Sequence, residues 1–314
     1  MELVRPVTQL VCFGECMAEL SRTMPNGTGW ALDYAGDSYN VAVYARRMGL
    51  PTAYMTAIGR DEFSDDMFRQ WQNEDIDTSL VVRHPDRTVG LYAIRVDNAG
   101  ERSFTYWRSH SAAREFFACP GYADALAIAA RSPLFYLSGI TLSLFGASDH
   151  ERIMDLARAV RQNGGKVIFD TNFRQQGWRS KAEARDLFTA FGRLTDIVLP
   201  TLEDDRNLFG DVNADSCAQR WLALGAREVA VKLGPEGAHI ATGAEQRQIA
   251  ACAVGKVKDT TGAGDSFNAA YLVSRHYGKP PFEAAEAGAL LAANVVQQSG
   301  AILPRELMPT RLTR

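Results

Sequence analysis

The sequence is poor in everything that would mark a special environment. Its five cysteines (Cys12, Cys16, Cys119, Cys217 and Cys252) are an odd, scattered set, with no CxxC pair and no histidine at zinc-ligand spacing. That excludes a disulfide framework and a zinc site of the usual pattern, and leaves free thiols in a reducing compartment as the expectation. No apolar run approaches the ~20 residues that a membrane-spanning helix needs, the longest lying around Ala289 to Val296. The N-terminus lacks the basic head, apolar stretch and small-residue cleavage site of a secretory signal, so a cytoplasmic location is expected. Charge of one sign is not in excess either. Against 34 Lys and Arg stand 37 Asp and Glu, a formal net charge of -3, which gives no positive field to attract nucleic acid. The 12 prolines form no tract and the 26 glycines no linker.

What remains is a chain of 314 residues, 46% hydrophobic and 23% charged, long and apolar enough to build a large core. A short apolar run, Gln9 to Gly14, predicts a strand. A helical pattern from Asn40 to Met48, closed by Gly49 and Pro51, follows, and Thr52 to Ile58 predicts the next strand. This β, α, β rhythm is what a right-handed crossover in a parallel sheet requires. It resumes at Leu134 to Ser138 and continues through strands at Lys166 to Asp170, Ile197 to Pro200 and Glu228 to Leu233, with helices between them. A hairpin partner is expected at Ala238 to Thr242, then helices at Asp265 to Tyr277 and Pro281 to Gln298. The rhythm breaks at Thr88 to Arg108, where alternating residues flank the turn-forming Asp97, Asn98, Ala99 and Gly100. With similar alternation around Met17 to Thr23 and Ala31 to Tyr34, this hairpin predicts a small β-sheet apart from the main one, drawn from about residues 15–36 and 88–108. The expected fold class is α/β, a doubly wound sheet with late antiparallel edge strands and a β lid, in one domain over 1–314. Ligands of such sheets gather at the carboxyl ends of the strands.

The most informative segment is Lys258 to Phe267, KDTTGAGDSF. Small residues, Gly262, Ala263 and Gly264, lead into a helix, so backbone N–H groups and the helix dipole converge as an anion site. Asp265 stands beside that site. An ordinary N-cap would explain it, but a carboxylate beside a polyphosphate is unfavourable unless it has chemistry to do, and accepting the proton of an attacking hydroxyl is that chemistry. The GxxxxGK[ST] loop of Walker-type NTPases is missing, as are an early GxGxxG and a GxSxG elbow. A nicotinamide-dependent oxidoreductase is therefore disfavoured.

DTTGAGDSFNAAYL resembles the C-terminal signature of the PfkB, or ribokinase-like, sugar kinases, over essentially the whole chain. The resemblance implies a Rossmann-type domain with a β lid, ATP and Mg2+, with a monovalent cation as a further candidate cofactor. It makes Asp265 the base and Gly262, Ala263 and Gly264 the anion hole. Gly36, Asp37, Ser38, Tyr39 and Asn40, just before the first helix, resemble the GDxxN string of the 2-keto-3-deoxygluconate kinases, where Asp37 and Asn40 would hold substrate hydroxyls. A turn and cap would also explain them. Tyr92 and the Tyr106, Trp107, Arg108 string resemble the same subgroup's lid contacts, with ribbon packing as the plain alternative. Alternation sets Tyr106 and Arg108 on one face and Trp107 on the other.

Arg174, at a strand end after Asn172, is the second candidate arginine. Two arginines suit a sugar acid better than a neutral hexose, although Arg174 could equally reach ATP phosphates or form a salt bridge. In this family Lys232, Gly234 and Gly237 border the nucleotide, as would Asn172 and Asn294, though a hairpin turn alone would account for the glycines. The metal-supporting NxxE motif is not kept. Thr201 and Asp204 stand at its ends with Glu203 and Asp205 beside them, and Asp204 is the candidate to reach Mg2+ through water. Ala301 offers no carboxylate where some relatives have one.

The expected activity is ATP-dependent phosphorylation of the C6 hydroxyl of 2-keto-3-deoxy-D-gluconate, in a homodimer or larger assembly paired through the lids. The alternatives are a kinase of 2-keto-gluconate, fructose or ribose, and a non-catalytic sugar-binding sensor on the same fold.

Overall fold

The computed structural model describes residues 7–22, 29–96 and 102–312. The chain runs β1 (Leu10–Phe13), β2 (Met17–Arg22), β3 (Trp30–Ala35), α1 (Asp37–Arg47), β4 (Thr52–Ile58), α2 (Glu62–Asn73) and β5 (Val81–Arg83). It continues with β6 (Gly90–Val96), β7 (Arg102–Trp107), α3 (Tyr122–Ala129), β8 (Leu134–Ser138), α4 (Gly139–Leu142), α5 (Ala147–Gln162), β9 (Lys166–Asp170) and α6 (Lys181–Gly192). The last third holds β10 (Ile197–Val198), α7 (Leu202–Phe209), α8 (Ala214–Ala223), β11 (Glu228–Lys232), β12 (Ala238–Thr242), β13 (Gln246–Ile249), α9 (Ala263–His276) and α10 (Pro281–Val295).

Nine strands form the main sheet in the order β13-β12-β11-β10-β9-β8-β1-β4-β5, parallel except for β12 and β13. Its strands are apolar on both faces because helices cover both. Leu10 and Cys12 join one core layer with Tyr54 and Tyr136, while Val11 and Phe13 join the other with Phe135 and Phe169. From β1 the chain builds outward to β4 and β5, then returns to β8 on the other side of β1 and builds the opposite way. This reversal is the switch point at which doubly wound sheets bind ligands. Among the described residues no helix is long and apolar enough to cross a membrane.

The second sheet, β3-β2-β6-β7, is the expected lid. The turn residues Asp97, Asn98, Ala99 and Gly100, with Thr23, lie outside the described residues. The β6–β7 register pairs Tyr92 with Tyr106 and Leu91 with Trp107. Because β2 separates from β1 by only three residues, the lid is tied to the switch point through Gly14, Glu15 and Cys16.

Several elements differ from the sequence expectation. α1 begins at Asp37, so Asp37 to Asn40 form its first turn rather than the loop before it. α9 begins at Ala263 with Gly262 as N-cap, which puts Asp265 inside the first turn and not at the cap. α2, β5, α3, α7 and β13 are additional elements. Gly36 owes its identity to a close approach: a Cβ there would stand 2.2 Å from the Glu15 carbonyl oxygen. Replacing it, Gly36→Ala, should therefore lower the free energy of unfolding by about 1–3 kcal/mol, measured by urea denaturation.

Candidate active site

Two helix N-termini and two strand ends converge at the switch point. Gly262 adopts φ +75°, and a Cβ on it would meet the Ala301 carbonyl oxygen at 2.5 Å. Ala301 is held in place by Tyr44, whose hydroxyl donates to the Ala301 carbonyl (2.8 Å) and accepts from the Leu303 amide (2.9 Å). The position therefore needs glycine both for its backbone and for its neighbour. The first turn of α9 that follows carries Asp265, and the first turn of α1 carries Asp37 and Asn40. Asn40 Nδ2 donates to Asp265 Oδ2 at 2.7 Å, joining the two helix starts.

The strand ends supply the floor. Asp170, buried at the end of β9, accepts from Lys232 Nζ (3.1 Å) and from Asn268 Nδ2 (2.7 Å). Lys232 Nζ also donates to Asn268 Oδ1 at 3.2 Å and lies 3.6 Å from where a Cβ on Gly264 would be. The ammonium is thus beneath the glycine loop. Asn172 takes φ +30°, unusual for a residue other than glycine, and its Nδ2 donates to Asp37 Oδ2 at 3.0 Å. Its amide therefore faces the Asp37 side of the cleft.

Three carboxylates share this space with one ammonium. Burial, then the charge of Asp37, then that of Asp170, push Asp265 up to about 7, against the Asn40 hydrogen bond and Lys232. Asp37 is raised as well, first by burial and then by Asp170, while bonds from Ser138 and Asn172 oppose the shift. A carboxylate that holds its proton near neutral pH is suited to exchange one with a hydroxyl.

The lid contributes from one face. Tyr106 is half exposed, and its hydroxyl, raised by burial, feels both Arg108 and Arg174. Both arginines already have partners: Arg108 pairs with buried Glu15, and Arg174 Nη1 donates to Asp204 Oδ1 at 2.9 Å. Tyr92 is buried, with its hydroxyl bonded to Glu19. Trp107, 58% exposed, lies on the opposite face from Tyr106.

Two members of the Gly36 to Asn40 string belong to the core rather than the cleft. Tyr39 is fully buried against Tyr54 and Trp71. Ser38, also fully buried, shares a hydrogen bond with Tyr54 and fills the space beside Gly14. In the first turn of α1, only Asp37 and Asn40 extend toward the carboxylate cluster.

A cavity of about 470 Å3 opens beside the loop, lined by Lys232, Gly234, Gly237, Ala263 and Gly264. The rest of its walls are mostly apolar, among them Ala251, Val254, Val257, Phe267, Ala289 and Val296. Asn294 is not among its walls; its Nδ2 donates to the Leu290 carbonyl within α10. Of the acidic residues near the NxxE position, Glu203 is exposed and Asp205 is fully buried on Arg220 and Trp221. Asp204 is the one that shares its surroundings with Arg174, Asp170 and Lys232. Asp205, Asp211 and Cys217 come close enough to suggest a metal, but Arg220 Nη2 lies 2.7 and 2.6 Å from the two carboxylates and supplies the balancing charge.

The model of the pfkB family of carbohydrate kinases matches residues 7–308. The chain belongs to that family. This PfkB kinase is 39% identical over 307 residues to the 2-dehydro-3-deoxygluconokinase of Dickeya dadantii, covering 96% of the chain and 98% of the relative. Its fold matches the crystal structure of a PfkB protein from a Polaromonas species (TM-score 0.83, 28% identity, covering 95% of this chain and 98% of that one). It also matches a putative ribokinase II from Escherichia coli solved with ATP and Mg2+ (TM-score 0.81, 22% identity, 94% of each chain).

Asp170, Asn268 and Glu15 were not among the candidate site residues read from this PfkB kinase's sequence, although Asp170 closes an expected strand, where ligands of such sheets gather. Asn268 lies three residues after Asp265 on the same helix face, and Glu15 follows a strand end. Since the folded state holds the Asp265 proton up to about pH 7 whereas an unfolded Asp releases it near 3.8, wild-type stability should fall as pH rises between those values. Asp265→Asn should therefore melt at a higher temperature than wild type at pH 8. The gain should shrink below pH 7 and vanish toward pH 4, as read by thermal denaturation across pH.

Proposed function

We propose that the protein is an ATP-dependent sugar-acid kinase. It transfers the γ-phosphoryl group of ATP to the C6 hydroxyl of 2-keto-3-deoxy-D-gluconate, giving 2-keto-3-deoxy-6-phosphogluconate and ADP. The observation that carries the chemistry is Asp265, a carboxylate of raised proton affinity bonded to Asn40 beside the Gly262 to Gly264 turn. The substrate assignment is supported by the 39% identity to a 2-dehydro-3-deoxygluconokinase along nearly the whole chain and by arginines at the lid and at the β9 end.

Asp37 and Asn40 position the sugar hydroxyls, and Asp265 takes the proton of the C6 hydroxyl as its oxygen attacks the γ-phosphorus. The Ala263 amide donates to the Thr260 carbonyl (3.2 Å) and closes the turn, while the Gly264 N–H, with Lys232 beside it, faces the charge that develops on the phosphoryl oxygens. ADP carries away the bonding electron pair of the broken P–O bond. The apolar walls of the cavity fit a purine, and its glycines with Lys232 fit the polyphosphate. For Mg2+ the fit rests on Asp204, an oxygen donor facing the same cleft and held by Arg174. Mg2+ bound to ATP would supply charge neutralisation across the phosphates. Closure of the lid would exclude water and bring Tyr106 and Arg108 over the sugar.

The lid also supports a reading of assembly. β3 and β7 are its edge strands, and one face leaves Trp30, Leu32 and Trp107 more than two-fifths exposed. Such edges and apolar faces are normally covered, and a second copy of the same lid would cover both. Light scattering at micromolar concentration should give at least a dimer, and a monomer would rule this pairing out.

The test of function is ADP release with Mg-ATP across 2-keto-3-deoxygluconate, 2-keto-gluconate, fructose and ribose. The sugar acids should be preferred, with 2-keto-3-deoxygluconate first. Preference for a neutral sugar would refute the carboxylate reading, and no turnover with any would favour a sensor. Asp265→Asn, folded by its melting curve, should lose on the order of 10² or more in kcat.

A further inference from the structure

We propose that Arg114 is a further specificity-determining residue, completing with Arg108 and Ser111 a pocket for the carboxylate of the sugar acid. The inference rests on the substrate reading above.

After β7 the chain makes two successive tight turns. The Ser111 amide donates to the Arg108 carbonyl (3.2 Å), and the Arg114 amide donates to the Ser111 carbonyl (3.1 Å). Each turn spans three residues, which brings Arg108, Ser111 and Arg114 to neighbouring positions. The segment is pinned to the approach to β6 by the Ala112 amide on the Thr88 carbonyl (2.8 Å). It is pinned to the end of β1 by Phe116, which packs on Phe13 at 5.1 Å. It therefore stands at the carboxyl end of β1, where Glu15 follows.

The polar groups gathered there are incomplete. Glu15 is 4% exposed and pairs with Arg108 through Oε2. Glu15 Oε1, Arg108 Nε and the hydroxyl of Ser111 are all buried without a hydrogen-bond partner. Arg114 is half-buried, and among the described residues its guanidinium makes no hydrogen bond or ion pair. Burial, and then Arg108 beside it, push it below its ordinary range, with Glu15 opposing only in part. Two guanidinium groups thus face one carboxylate.

A partly buried cation without a counter-charge is unfavourable, and an incoming carboxylate removes the imbalance. Its two oxygens match the guanidinium fork. Ser111 can add a donor, while Glu15 Oε1 can accept from a hydroxyl of the same molecule. A neutral ketose satisfies none of the excess charge.

The test is steady-state kinetics of Arg114→Gln and Arg114→Lys in the full-length enzyme, with 2-keto-3-deoxygluconate, fructose and ATP each varied. Arg114→Gln should raise KM for the sugar acid about 10- to 100-fold, the size of a charged hydrogen-bond pair, with kcat and the KM for ATP within about twofold. Arg114→Lys, which keeps the charge and loses the fork, should raise it less, and turnover of fructose should not change. A KM for the sugar acid within about twofold of wild type in Arg114→Gln overturns the assignment while leaving the substrate reading intact. Parallel losses for both sugars and ATP mark a structural role and overturn it as well. A wild-type enzyme that prefers fructose overturns the substrate reading and this inference together.

Discussion

Three carboxylates and one ammonium in a partly buried space are the constraint on which the rest of this structure depends. Asp37, Asp170 and Asp265 would repel one another strongly if all were ionised and unpaired. The fold resolves the conflict unequally. Asp170 is tied to Lys232 and Asn268, Asp37 accepts from Asn172, and Asp265 is left with Asn40 and a proton affinity near neutrality. Everything that fixes these partners serves that inequality: the reversal of strand order, the glycine N-cap of α9, and the backbone of Ala301 held against it by Tyr44.

The same arrangement gives the site two distinct halves. On one side, small residues at the start of α9 and an apolar cavity suit a nucleotide. On the other, Asp37 and Asn40 stand in the first turn of α1, and the charges of Arg108 from the lid and Arg174 from the β9 end both act on Tyr106. Only at Asp265 do the two halves meet. The lid is joined to β1 by the three-residue connection Gly14, Glu15 and Cys16, and the Arg108–Glu15 pair ties the end of β7 to that connection.

Much of this was legible in the sequence. The strand at Lys166 to Asp170 and its partner at Ala238 to Thr242 fall where periodicity places them, because fully buried strands read as short apolar runs between turn signals. The KDTTGAGDSF segment was legible as a run of small residues leading into a helix, which is the glycine-capped start of α9. Helices α2 and α7 were not, since Glu62 to Asn73 and Leu202 to Phe209 are rich in charge and bury only narrow faces. The string Gly36 to Asn40 was legible as a motif but not residue by residue. One helical turn points Asp37 and Asn40 to the cleft and Tyr39 into the core, and a string of letters carries no direction until the helix start is known.

The sequence by itself determined the family, the α/β class and the lid, because each depends on local pattern or on a short motif. Tertiary structure alone decided which charges meet. Asn40 and Asp265 are 225 positions apart, and Asp170 and Asn268 are 98 apart. Whether Arg108 and Arg174 stand free or paired turned on Glu15 and Asp204, and whether Arg114 has a counter-charge turned on what the chain folds beside it. Ionisation is set by distance and burial rather than by residue type, and neither exists before the chain has folded.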